Sequence, residues 1–286
     1  MRYFPPVVRK EKSTLNSKLV REQVLRRLGL DTVSTDADGL QTVYRHWCRR
    51  VPFDSLRKRL FQADGARGEV PGWTADEFLD GWLSDGTGGS CWSTSLGLHG
   101  LLTHIGFEAR LVEGVMLTDP DTRPNHGSVV VRLGGREWLV DSSMLFDDPL
   151  LLPRPGRTLE REHPVHPVSV VGRDVDWVVT WRPAHADVRV ACELGRAEAV
   201  RESWDRAHDF TRGYSLFNQT IYARRNTDDG IIAFGRRKLV ERAADGSLHR
   251  RDVAPGDVAT TLIEHFGFSE RIVSSLPADD SGAAFL

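Results

Sequence analysis

The hydrophobic pattern changes its period near residue 106, and this change constrains the fold more than any other feature of the sequence. Before it, apolar residues recur at helical spacing, as in Leu40, Val43, Tyr44 and Trp47. These segments begin at capping residues or end at glycine or proline. The predicted helices of this part are 17–32, 36–50, 74–85 and 91–105.

After residue 106, β-branched residues dominate, with glycine, proline and aspartate between the apolar runs. The predicted strands are 107–117, 126–133, 136–143 and 168–182. The tail combines a helix over 195–210, strands within 231–253 and a helix over 255–267. Helices, then strands, then a mixed tail predict an α+β protein with an antiparallel sheet or barrel in its middle.

Composition excludes several classes of function. The chain has 286 residues and a formal net charge of −2, so no basic field favours nucleic acid or an anionic membrane. No apolar run approaches the roughly 18–20 residues of a membrane span. The polar N-terminal arm, residues 1–16, lacks the apolar core of a signal peptide. The sequence therefore predicts a cytoplasmic protein without nucleic-acid or membrane partners.

The chain contains three cysteines, Cys48, Cys91 and Cys192, and no Cys-x-x-Cys pair. An odd, widely spaced set is a poor disulfide framework and cannot supply a four-thiolate zinc site. The chemical question is therefore whether one of the three is a reactive thiol.

Cys91 differs from the other two because it follows the glycine-rich segment 85–90 and opens a predicted helix. A thiol in a first helical turn lies beside unpaired N–H groups and the positive end of the helix dipole, which favour the thiolate. These N–H groups, including that of Trp92, are candidate donors to an oxyanion. The alternative is a small buried side chain, an interpretation that fits Cys48 and Cys192 better.

A cysteine nucleophile needs a base and a group that orients the base, and segment 126–141 contains both. Gly134-Gly135 between two apolar runs predicts a two-residue hairpin turn. Residue 131 then faces residue 138, and His126 lies diagonally across from Asp141 on the same face. We expect an imidazole–carboxylate pair, with a purely structural pair at the sheet rim as the alternative.

The other histidines offer weaker candidates, and no His-Glu-x-x-His, Walker or dinucleotide-binding glycine motif is present. Five of them lack a partner at an informative spacing: His46, His185, His208, His249 and His265.

Taken in order, these segments resemble the arylamine N-acetyltransferase family. Residues 42–56 resemble its helix ending in a Pro-Phe-Glu-Asn motif, and residues 87–112 resemble its Arg-Gly-Gly-x-Cys-Phe-Glu-x-Asn motif with the helix that follows. Residues 125–141 resemble its histidine and aspartate strands. The order Cys, His, Asp and the 15-residue interval between the last two are the most specific points. Residues 215–240 and 263–268 resemble the hairpins and last helix of its third domain.

The resemblance implies Cys91 as the acylated nucleophile, His126 as its base and Asp141 as the residue that orients the base. The family passes an acetyl group from acetyl-CoA to an amine by a ping-pong route and needs no bound cofactor or metal. The implied domains are a helical bundle over 1–105 that carries the nucleophile, a β-barrel over 106–193 that carries His and Asp, and an interdomain helix with an α/β lid over 194–286.

The residues that surround the triad depart from the family pattern. Thr87 replaces the motif's arginine, and Ser93 and Ser95 replace its glutamate and asparagine. Residues 52–55 read Pro-Phe-Asp-Ser, and residues 142–145 read Ser-Ser-Met-Leu where the family has small residues. The triad residues are present, but the residues around them differ from the family pattern, which favours a specialised enzyme. Some relatives of this kind are amide synthases of antibiotic biosynthesis, which accept acyl chains from carrier proteins.

The sequence thus predicts a cysteine acyltransferase that moves an acyl group from a CoA or acyl-carrier-protein thioester to a small-molecule amine. The alternatives are a thiol hydrolase, such as an amidase or thioesterase, with the same triad, and a non-catalytic binding member of the family. The identities of donor and acceptor and the oligomeric state stay open. The candidate pocket residues are Phe53, Trp92, Val115, Met144 and Phe217.

Overall fold

The computed structural model describes residues 14–119, 123–183 and 187–277. Most of the predicted N-terminal arm, residues 1–16, lies outside the described residues, and so does His185. The helices are α1 (Thr14–Arg27), α2 (Ala37–Arg50), α3 (Leu56–Ala63), α4 (Ala75–Asp85), α5 (Cys91–Ile105), α6 (Arg201–Tyr214), α7 (Val258–Phe266) and α8 (Glu270–Ser274). Short 3₁₀ turns cover Leu216–Asn218 and Pro255–Asp257.

The strands are β1 (Phe53–Asp54), β2 (Glu108–Met116), β3 (His126–Leu133), β4 (Arg136–Leu139), β5 (Leu150–Leu151), β6 (Thr158–Arg161), β7 (Val168–Gly172), β8 (Asp176–Trp181), β9 (Val190–Gly195), β10 (Tyr222–Asn226), β11 (Ile231–Gly235), β12 (Lys238–Arg242) and β13 (Leu248–Asp252). Helices at the N-terminus, a large antiparallel sheet and a mixed C-terminal part confirm the predicted α+β fold.

The helix α2 illustrates how the helical part follows from the sequence. Asp36 is its N-cap, and Asp36 Oδ1 accepts a hydrogen bond from Gly39 N at 2.8 Å. The last turn ends before Pro52, which cannot continue a helix. The predicted apolar face is buried: Leu40, Val43, Tyr44 and Trp47.

Eight strands form a nearly closed antiparallel barrel in the order β5-β4-β3-β2-β9-β8-β7-β6. Its β3–β4 hairpin has the predicted register, with Val131 opposite Trp138. Gly134 and Gly135 adopt φ angles of 59° and 70°, the left-handed pair that a tight hairpin turn requires. This register places Asp141, two residues after the end of β4, beside the start of β3.

The C-terminal sheet has the order β1-β10-β11-β12-β13. Its edge strand β1 comes from the helical part of the chain, where Phe53 pairs with Arg224 and also bridges to Gly89. The sheet therefore reaches the segment that precedes α5. The division into domains 1–105, 106–193 and 194–286 stays a prediction.

One helix differs from its predicted form. The helix α6 begins at Arg201 rather than at residue 195, because β9 continues to Gly195 and Ala199 N donates to Leu111 O at 2.8 Å. Backbone pairing with the barrel thus outweighs the helix propensity of residues 195–200. The run 231–242 is a hairpin whose turn consists of Arg236 and Arg237, with φ angles of 51° and 56°.

One hydrophobic core joins the helices to the barrel. Its largest cluster includes Leu98 of α5 and Val131 of β3, and both are fully buried. A second cluster lies between the C-terminal sheet and α7, with Leu56 and Phe234 among its members. Within the described ranges, no helix combines the length and apolar character needed to cross a membrane.

Candidate active site

The segment before Cys91 is fixed by β1. Asp54 Oδ2 accepts a hydrogen bond from Gly88 N at 2.6 Å, and Asp54 N donates to Gly89 O at 3.1 Å. A Cβ on Gly88 would lie 1.6 Å from Pro52 O, so this close approach requires glycine. Burial raises the pKa of Asp54 to about 7, although two backbone N–H groups donate to its carboxylate.

Cys91 is the first residue of α5, and Ser90 before it has the extended backbone of an N-cap. The Cys91 thiol is partly exposed, and its Sγ lies 3.9 Å from Asn125 O. Cys48 and Cys192 are buried. Burial raises the pKa of Cys192 to about 12 and also raises the pKa of Cys48. Cys91 is therefore the thiol that a reagent or substrate can reach.

His126 and Asp141 form the expected imidazole–carboxylate pair. His126 Nε2 and Asp141 Oδ2 lie 2.8 Å apart, and the two residues are 4% and 0% exposed. Asp141 Oδ1 accepts hydrogen bonds from the backbone N–H groups of Ser143 and Met144 at 2.8 and 2.7 Å. The hydroxyl of Tyr44 donates to the carbonyl oxygen of Asp141 at 2.6 Å. These bonds fix the carboxylate and direct the other ring nitrogen of His126, Nδ1, away from it.

Electrostatics favour the charged form of this pair. Burial opposes an imidazolium, but the charge of Asp141 and hydrogen bonds to Asp141 and Cys91 raise the pKa of His126 well above its ordinary value. Burial likewise opposes the carboxylate, but the imidazolium and the Met144 N–H lower the pKa of Asp141 to about 2. A proton that leaves the Cys91 thiol thus has a stabilised position on His126.

A chain of hydroxyl groups connects α5 to strand β3 and to the segment that follows β4. Ser95 Oγ donates to Gly127 O at 2.9 Å and lies 3.0 Å from Ser142 Oγ. Ser142 Oγ donates to Thr94 Oγ1 at 2.8 Å, and Thr94 Oγ1 donates to Ser90 O at 2.9 Å. A neutral network thus occupies the position where the resemblance places charged and amide side chains.

The predicted pocket residues lie in three groups. Phe53 and Phe217 contact each other edge to face, with ring centroids 5.0 Å apart, and both pack against Tyr222. Trp92 is fully buried and packs edge to face on Trp204 at 4.7 Å.

The other two pocket residues belong to the barrel side of the site. Met144 is buried in the turn that follows Asp141. Val115 lies on β2, opposite Glu193 of β9. The structure thus joins Phe53 to Phe217 and places Trp92 in the packing between α5 and α6. That these five residues line a pocket stays a prediction.

Two residues near the site carry no signal in the sequence. Tyr44 belongs to the apolar face of α2, and its bond to Asp141 spans 97 residues of chain. Lys58 lies in a segment without a chemical motif, yet it is buried within electrostatic reach of Cys91. In the part of the chain that the structure describes, no cluster of three or more His, Cys, Asp or Glu side chains is arranged to hold a metal ion.

The fold and the site define a cysteine enzyme in which a thiol at a helix start lies beside a buried His–Asp pair. A family model described as N-acetyltransferase matches residues 36–271. The chain therefore belongs to the arylamine N-acetyltransferase family, as the resemblance implies.

Solved structures agree with this assignment at the level of the fold. The M. smegmatis arylamine N-acetyltransferase is 17% identical with a TM-score of 0.74, over 88% of this chain and 97% of that chain. The Mycobacterium marinum enzyme in complex with CoA is 16% identical with a TM-score of 0.74, over 87% and 95%. A Bacillus cereus arylamine N-acetyltransferase with a Cys-His-Glu triad is 16% identical with a TM-score of 0.70, over 87% and 98%. None of the curated proteins compared with the chain matches it significantly.

Proposed function

We propose that this acyltransferase works through an acyl-Cys91 intermediate. The Cys91 thiolate attacks the carbonyl carbon of an acyl thioester, a new thioester forms on Sγ, and the donor thiol leaves. An amine then attacks the acyl-enzyme, which forms an amide and releases Cys91. The observation that carries this proposal is the partly exposed Cys91 thiol, whose side chain interacts with His126 of the buried His126–Asp141 pair.

His126 handles the protons of both steps. It holds the proton of Cys91 while the thiolate attacks and gives that proton to the departing thiol. The neutral imidazole then takes a proton from the attacking amine. Each such transfer contributes roughly 10²–10⁴-fold to the rate. Asp141 orients the ring through Nε2 and stabilises the imidazolium, so Nδ1 is the atom that exchanges protons.

The donor is either an acyl-CoA or the pantetheine thioester of an acyl carrier protein. The M. marinum structure in complex with CoA supports the first. The neutral hydroxyl network around Ser95 and Ser142 supports a specialised amide synthase of natural-product metabolism, because it replaces the charged groups of the family motif. The amine acceptor and the cytoplasmic location belong to this proposal.

Intact-mass measurement of the enzyme with a panel of CoA and pantetheine thioesters tests it. We expect a single acyl adduct, and peptide mapping should place it on Cys91. The Cys91→Ser variant should show no thioester adduct and no turnover, whereas Cys192→Ser should keep both if it folds. Turnover retained by Cys91→Ser would contradict the proposal.

The acceptor is tested on the same intermediate. Acyl-enzyme isolated from excess donor is divided between buffer and buffer with an amine. Amide formation that outpaces hydrolysis supports the transferase, whereas release of free acid at the same rate in both samples would indicate a thiol hydrolase.

A further inference from the structure

Lys58 of α3 is a buried cation without an acidic partner. The residue is 5% exposed, and its ammonium donates one hydrogen bond, to Thr211 Oγ1 at 2.8 Å. Among the described residues, no carboxylate forms an ion pair with it. A lysine ammonium has three N–H donors, and a buried charge normally has a partner of opposite charge. The ammonium therefore has spare donors in a site where water is scarce.

His208 of α6 lies beside Lys58 and is also incompletely bonded. It is fully buried, and neither Nδ1 nor Nε2 has a hydrogen-bond partner. The ring stacks on Trp73 with centroids 5.7 Å apart. Burial and the nearby charges of Lys58 and Arg201 lower the pKa of His208 to about 3, so the ring is neutral and offers one N–H donor. Buried polar atoms without partners are rare in proteins.

The geometry of α6 links this pair of residues to Cys91. Trp204, His208 and Thr211 are spaced four and three residues apart, so they share one helix face. Trp204 packs on Trp92, and the cluster they form includes Cys91 at its border. At the other end of this face, Thr211 holds Lys58.

Lys58 also approaches the site from the other side. The helix α3 starts two residues after Asp54, which holds the segment before Cys91. Burial lowers the pKa of Lys58 to about 8, and the charge of Cys91 opposes this lowering. Lys58 therefore interacts with the charge of Cys91, whereas its ammonium is hydrogen-bonded to Thr211.

We propose that Lys58 and His208 form a subsite that binds a carboxylate of the substrate next to the acylated Cys91. The ammonium supplies charge-assisted hydrogen bonds, and the imidazole N–H supplies a neutral donor at the same place. The carboxylate belongs either to the acyl chain, as in a dicarboxylic acid joined to its thiol carrier through one end, or to the amine acceptor. The phosphates of CoA are a poor fit, because the pantetheine arm separates them from the thioester. The inference rests on the proposed role of Cys91.

Alkylation of Cys91 by iodoacetate and iodoacetamide tests the subsite without any acyl donor. In both reactions the thiolate forms an S–C bond while iodide leaves. Iodoacetate carries a carboxylate where iodoacetamide carries a neutral amide. We expect the ratio of the two rates at Cys91, iodoacetate over iodoacetamide, to fall about tenfold or more in Lys58→Met, the size of one charge-assisted hydrogen bond. Lys18→Met, which removes an exposed lysine of α1, should keep the wild-type ratio.

A second variant helps to separate loss of the subsite from misfolding. His208→Gln keeps an N–H donor, and we expect a smaller fall in the ratio than in Lys58→Met, with both variants checked by circular dichroism. An unchanged ratio in a folded Lys58→Met would overturn the subsite. If Cys91 of the wild type reacts no faster than a free thiol with either reagent, the failure lies in the proposed function instead.

Substrate pairs identify the source of the carboxylate. Succinyl-CoA is compared with butyryl-CoA as donor, and 4-aminobenzoate with 4-methylaniline as acceptor. A loss in Lys58→Met that is confined to succinyl transfer assigns the carboxylate to the acyl chain. A loss confined to 4-aminobenzoate assigns it to the amine, and equal effects on charged and neutral partners would contradict the subsite.

Discussion

At the scale of single residues, the proposed reaction of Cys91 depends on the charge state of His126. The ring is buried, and a buried imidazole prefers to be neutral. Asp141 reverses this preference through a 2.8 Å hydrogen bond and its negative charge. The carboxylate is in turn held by two backbone N–H groups. In the proposed mechanism, Asp141 therefore acts on the thiol through His126.

Asp141→Asn should remove the charge and leave most of the shape. Without the carboxylate, burial lowers the pKa of His126, and we expect acylation of Cys91 near neutral pH to slow by roughly 10²–10⁴-fold. The pH profile of Cys91 alkylation, measured by intact mass, should lose the thiolate population that the imidazolium stabilises. The exposed Asp252→Asn is the matched control. An unchanged pH profile in Asp141→Asn would contradict this account.

Asp54 makes the stability of the enzyme depend on pH. Its pKa of about 7 lies above the ordinary value of 3.8, so between these values the folded chain binds a proton that the unfolded chain releases. The resulting stabilisation is fully present below about pH 4 and is lost as the pH rises through 7.

Asp54→Asn should remove this dependence. We expect the free energy of unfolding of Asp54→Asn, taken relative to that of the wild type, to increase by a few kcal/mol as the pH rises from 4 to 8. The increase is on the order of 1.4 kcal/mol per unit of pKa shift. Urea unfolding at a series of pH values measures it. Parallel curves for the two proteins would show that Asp54 does not titrate in this range.

At the scale of elements, the site is built from a loop, a helix start and a hairpin, and these differ in how far the sequence predicts them. The helix that opens at Cys91 and the register that joins His126 to Asp141 follow from local patterns. The turn at Arg236 and Arg237 does not, because arginine has no special preference for a left-handed backbone. The late start of α6 reflects a backbone bond to β2 that no local pattern contains.

Gly88 is the point at which β1 approaches the loop before Cys91. In Gly88→Ala, the new Cβ meets Pro52 O, so the loop has to move and the bond to Asp54 is lost. We expect destabilisation of about 1–3 kcal/mol together with a clear loss of Cys91 acylation, measured by chemical unfolding and intact mass. Gly256→Ala, where a Cβ meets nothing within 4 Å, is the matched control. Wild-type acylation in Gly88→Ala would contradict a positioning role for this contact.

At the scale of the whole molecule, distant segments meet at the site. Tyr44 of α2 donates to Asp141, and Lys58 of α3 contacts Thr211 of α6. These contacts span 97 and 153 residues, and neither residue type nor spacing predicts them. The family resemblance gives the fold and the proposed triad in advance, whereas the contacts of Tyr44 and Lys58 are visible only in the structure.

The shared core predicts how the molecule unfolds. Because one cluster contains residues of the helices and of the barrel, the two parts should lose their structure in a single cooperative transition. Leu98→Ala, which opens a cavity in this cluster, should cost about 2–5 kcal/mol and shift far-ultraviolet circular dichroism and tryptophan fluorescence together. Leu19→Ala at a half-exposed position of α1 should change stability far less. Two separate transitions in Leu98→Ala, one for each signal, would show that the helical part and the barrel are independent folding units despite their common core.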